Sequence, residues 1–83
     1  MKVTGHATIK GRGVVTLIDK LPPEVEVGSY VSDRTRYVWE VRGIETHAMP
    51  RSHTNGQPAG LLLQGNQAAP AVDEVLVVVH WYA

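Results

Sequence analysis

A small all-β domain, closed as a barrel, is the fold class this sequence predicts, and three observations predict it. Short runs rich in Val, Ile, Thr, Tyr and Trp recur along the chain, and the first alternates apolar with polar residues at the period of a strand. Gly, Pro, Asn and Asp separate these runs at close spacing, where hairpins and loops turn the chain. No stretch repeats apolar residues at helical spacing over three turns. Closure would also remove the edges that leave an apolar run such as Val75 to Val79 open to aggregation.

Six strands follow in order. Lys2 to Lys10 alternates, with Val3, Gly5, Ala7 and Ile9 predicted inward and Lys2, Thr4, His6, Thr8 and Lys10 outward. Gly11-Arg12-Gly13 turns the chain, and Val14 to Asp19 returns. Leu21-Pro22-Pro23 ends that strand, because proline cannot donate to a ladder. Val25 to Val31 is the third, with a turn or bulge at Gly28, and Ser32, Asp33 and Arg34 turn again. Tyr37 to Glu45 is the longest, its phase slipping at Gly43 where a bulge is expected. The polar stretch from Ala48 to Pro58 predicts a mobile surface loop. Ala59 to Gln64 and Glu74 to Trp81 complete the set, and Ile9, Val15, Val27, Val41, Ile44, Leu61 and Leu63 are the predicted core.

Length and charge bound the rest. A chain of 83 residues fits one domain over residues 1–83 and leaves no room for a second core. With no cysteine, neither disulfides nor a thiolate zinc site can form. No apolar run approaches the roughly 20 residues of a membrane span, and MKVTGHATIK has no signal-peptide pattern, so the expected location is the cytoplasm and no membrane partner is expected. Eight Lys and Arg balance eight Asp and Glu, which leaves no global field for nucleic acid. All eight basic residues fall within positions 1–51, however, and Arg34, Arg36, Arg42 and Arg51 are grouped.

GRGVV, VEVGSYV, VRGIE and AGLLLQG follow one another in this chain. Together they resemble the second, β-barrel domain of translational GTPases such as elongation factor Tu, over residues 3 to 79. The resemblance implies a six-stranded Greek-key barrel. In that family the barrel helps to hold the aminoacylated 3′ end of tRNA, and by position Arg12 and Glu45 match residues near that end. The family's aromatic four positions before Gly11 is Ala7 here, its Asn two before Gly60 is Pro58, the Arg of its last motif is Gln64, and the Asp of its turn is Ser29. Nothing matches the phosphate loop G-x-x-x-x-G-K-[ST], so no nucleotide binding is expected and the barrel is read as free-standing.

No constellation predicts catalysis, a metal or another cofactor. His6, His47, His53 and His80 match no ligand spacing. The adjacent Asp73 and Glu74 alternate across a strand, so they make a poor acid–base pair. Arg34, Arg36 and Arg42 share a parity, with Arg12 at a neighbouring turn, and guanidinium groups so spaced suit a phosphate backbone with aromatic rings nearby for stacking. Glu40 shares that parity and offers them a partner. Trp81 and Tyr82 either plug one end of the barrel or anchor a protein partner. The sequence thus predicts a non-enzymatic binding module contacting RNA or a ribonucleoprotein surface through Arg12, Arg34, Arg36 and Arg42. The alternative is a module that binds a protein partner or itself through Trp81 and Tyr82.

Overall fold

The computed structural model describes residues 1–35, 37–46 and 56–79. Six strands among them form one antiparallel sheet: β1 (Val3–Ile9), β2 (Gly13–Ile18), β3 (Tyr30–Ser32), β4 (Val38–Glu45), β5 (Ala59–Gln64) and β6 (Val77–Val79). Their order across the sheet is β1-β2-β5-β4-β3-β6. No helix is present among the described residues, and none long and apolar enough to cross a membrane.

No ladder joins β6 to β1, so strand pairing does not close the sheet. Its two edges nevertheless meet at their starts. Lys2 and Val75 form an isolated bridge, Val3 N–H donates to Glu74 O at 2.8 Å, and Leu76 N–H donates to Met1 O at 2.7 Å. The chain from β5 to β6 reaches this seam by crossing the inner face. It is pinned there by Gln67 Nε2 donating to Val38 O, Trp39 Nε1 donating to Ala68 O, and His6 Nε2 lying 2.7 Å from Pro70 O.

The core contains Val3, Ile18, Leu21, Val25, Val31, Trp39, Val41, Ala59, Leu61 and Leu76. Val41 and Leu61 are buried as predicted, while Ile44 and Leu63 are half-buried against the core. Two bulges decide which residues reach it. The β1–β2 register slips between Val3 and Gly5, so Val3 pairs with Ile18 but Gly5 pairs with Leu17. A strand that gains one residue changes faces. Gly5, Ala7 and Ile9, predicted inward, therefore turn to the outer face with Val15 and Leu17, where Ala7 is exposed and Ile9 half-buried. Val15 is buried as expected, yet on that outer face.

The second slip lies between Val41 and Gly43, at the position the broken alternation marked, and it returns Ile44 to the side of Leu61. Val27 corrects the predicted core, being 63% exposed. Residues 25–29 form turns rather than a strand: Val25 N–H donates to Pro22 O, Ser29 N–H donates to Glu26 O, and Gly28 takes a φ of 99°. Val27 sits at their tip, and Val25 is buried instead. β3 accordingly starts at Tyr30 rather than Val25, and β6 starts at Val77 rather than Glu74. Most of the expected loop at 48–58 lies outside the described residues, as do Arg51 and residues 80–83.

Candidate functional site

The outer face of β1, β2 and β5 carries a pocket of about 470 Å³. Ala7, Ile9, Val15 and Leu17 give it apolar walls, Glu45 stands at its edge, and Gly60 lies between them. Gly60 pairs with Leu17 on one side and Glu45 on the other. A Cβ at Gly60 would run into the Val15 side chain, so only glycine lets the two strands pack here. The bulge at Thr4 supplies Ala7 and Ile9, and Gly60 lets Val15 pack down onto β5 at the pocket floor.

Arg12 is held over this region by its turn. Arg12 N–H donates to Ile9 O at 2.9 Å, and Gly11 and Gly13 on either side take positive φ. Its guanidinium pairs with the Glu45 carboxylate, with half of the Arg12 side chain still exposed. The two residues that the resemblance singled out, 33 positions apart in sequence, are thus in direct contact.

The other predicted arginines are dispersed. Arg42 is exposed at the β4 bulge and pairs with Glu40 at 3.4 Å, the partner that shared parity offered. Arg34 lies exposed in the turn before β4, without an ion-pair partner among the described residues. That turn is organised by Asp33, whose Oδ1 accepts from Thr35 N–H, the Thr35 hydroxyl and Tyr37 N–H. Beyond it Tyr37, 54% exposed, stands edge-on to Trp39 at 6.3 Å. No contact joins Arg12, Arg34 and Arg42 to one another, and Arg36, Trp81, Tyr82, His47, His53 and His80 lie outside the described residues.

Among the described residues no three His, Asp or Glu side chains gather as metal ligands. Asp73 and Glu74 sit at the seam, with Asp73 at a φ of 75° and paired with Lys2 at 3.5 Å. One carboxyl is clearly perturbed. Asp19 titrates below its ordinary value because the Lys2 N–H donates to it, helped by the Lys20 N–H and opposed by partial burial.

Sequence reasoning overlooked Gly60 as a site residue. The signal was its place between two strand-forming neighbours, where glycine is costly unless a close approach requires it. Compared with known proteins, the chain matches no family model, no curated protein and no solved structure.

Proposed function

We propose that this chain is a non-enzymatic binding module of the translation-factor barrel type, whose outer-face pocket receives the end of an RNA strand. The observation that carries the reading is the Arg12–Glu45 pair beside a pocket of about 470 Å³ that Glu45 and Gly60 help to line. Apolar walls suit the face of a base, and a charged pair at the rim suits the hydroxyls and phosphate of its nucleotide. On this reading the Lys2–Val75 bridge is the closing seam of a six-stranded Greek-key barrel, and the exposed Arg34 and Tyr37 contact the strand further along.

The test is a titration with single-stranded RNA at two salt concentrations. Wild type is compared with Gly60→Ala, and with the double variant Arg34→Ala, Arg42→Ala. The double variant should stay folded and flatten the salt slope by about 1.4, as losing two phosphate contacts would. Gly60→Ala should weaken binding while leaving the slope unchanged. Absence of wild-type binding at low salt rejects the proposal.

One observation favours a second reading, in which the module binds protein. Val72, Val75 and Val77 are 50%, 43% and 57% exposed around the start of β6, with no charged side chain from Val75 to Val79. Light scattering across a concentration series distinguishes self-association through this stripe from a monomer.

A further inference from the structure

A second cavity, of about 380 Å³, opens where two neighbouring strands part. β2 and β5 pair only from Thr16 to Ile18 against Ala59 to Leu61. Beyond Thr16 the strands separate, with Arg12 and Val14 on one side of the cleft and Leu62 to Gly65 on the other, and Trp39, Gln67 and Ala69 also line it. No backbone hydrogen bond between described residues spans the gap. Strand edges facing each other across an open cleft present N–H and C=O groups at the spacing of a ladder, without the ladder.

Polar groups border the same space from both faces of the sheet, Thr16 from the inner one and Gln64 from the outer one. Thr16 is 1% exposed, and its hydroxyl has no hydrogen-bond partner among the described residues. Every fully enclosed side-chain oxygen or nitrogen among them is partnered, so this hydroxyl keeps its contact with the cavity. Gln64 adds a free amide, and Gln67, whose Nε2 is committed to Val38 O, keeps its carbonyl free. Val14, Leu62, Leu63, Ala69 and the Trp39 ring supply apolar walls. Arg12 contributes little net charge, because Glu45 already neutralises it.

We infer that this cleft binds an uncharged heterocycle with an amide-like edge, the chemistry of a pyrimidine base, bridging β2 and β5 and hydrogen-bonding Thr16 and Gln64. Apolar walls require a ligand with apolar faces, and diverging strands require an edge that both donates and accepts. The volume is near the lower end for ligand pockets, about 300–1,000 Å³, which suits a single ring. The site is separate from the outer-face pocket, so either can fail without the other.

Uridine and a short oligouridylate are the probes, followed by two-dimensional NMR of the Trp39 indole N–H and the side-chain amides of Gln64 and Gln67. Saturable shifts with free uridine are expected, and they identify the base itself as ligand. Saturation by the oligonucleotide alone supports the same site with the base delivered in an RNA strand. Thr16→Val, which removes the hydroxyl at nearly constant shape, should weaken binding about five- to ten-fold. Gln64→Ala, at an exposed position that leaves folding intact, should weaken it similarly. No saturable shift with either probe overturns the inference, as do shifts that persist unaltered in both Thr16→Val and Gln64→Ala.

Discussion

The two faces of the sheet across β1, β2 and β5 are built from similar residues and put to opposite uses. On the inner face Val3, Ile18, Ala59 and Leu61 belong to the buried core. On the outer face Ala7, Ile9, Val15 and Leu17 are as apolar, yet they surround a pocket. The difference is not hydrophobicity but what covers each face. The chain from β5 to β6 crosses the inner face, whereas the outer-face residues border an open pocket. Gly60 opposes Leu17 on that outer face, and its missing side chain lets Val15 pack onto β5. Neighbours in a strand point opposite ways, so each face is packed on its own terms.

The largest expected contrast is between neighbours on β5 and β2. Leu61→Ala should cost about 2–5 kcal/mol, because it empties a fully buried site. Leu17→Ala should cost less than about 1 kcal/mol, because it trims a half-buried wall of an open pocket. Urea denaturation of both variants checks this. Equal losses would mean that the outer face is packed as tightly as the core.

Next in size is Gly60→Ala, expected to destabilise by about 1–3 kcal/mol as the strands shift to admit a methyl group against Val15. Pairing it with Val15→Ala should recover part of that loss, since the alanine side chain at position 15 leaves space for the new methyl. A double-mutant cycle with strictly additive losses would break the packing account of Gly60.

Ile44 tests how far the core extends. It is half-buried at the core's edge, so Ile44→Ala should cost about 1–2 kcal/mol, below the range of Leu61→Ala. A loss equal to that of Leu61→Ala would move the core boundary outward to the β4 bulge.

The smallest effect concerns the strand starts. Asp19 carries a lowered pKa in the folded chain, held down by the Lys2 and Lys20 N–H donors. Its contribution is complete above the unfolded value near pH 4 and disappears as pH falls through the lower folded value. Asp19→Asn should therefore flatten the acid limb of the stability curve and leave its shape near neutrality unaltered. An acid limb identical to wild type would show that these bonds contribute nothing.

Five of the six strands were legible to within a residue or two at one end or both, because alternation and turn residues are local signals. β5 falls on the predicted Ala59 to Gln64, and the slip at Gly43 was visible because Ile44 broke the apolar rhythm. Thr4 gave no such warning. Gly5 and Ala7 are small enough to fit either face, so a bulge that inverts them leaves the alternation looking intact. Val27 misled for a related reason, since a valine at a turn tip reads like one in a strand.

The sequence by itself determined the all-β class, the turn at Gly11-Arg12-Gly13 and the order of the strands, all of which depend on neighbours a few residues apart. Tertiary structure alone decided that Arg12 meets Glu45, that Val15 packs onto Gly60, and that β2 and β5 pair no further than Thr16 and Leu61. Each of these joins residues more than thirty positions apart. Such pairings are set by which strands become neighbours and in what register, and neither leaves a local trace in the residues themselves.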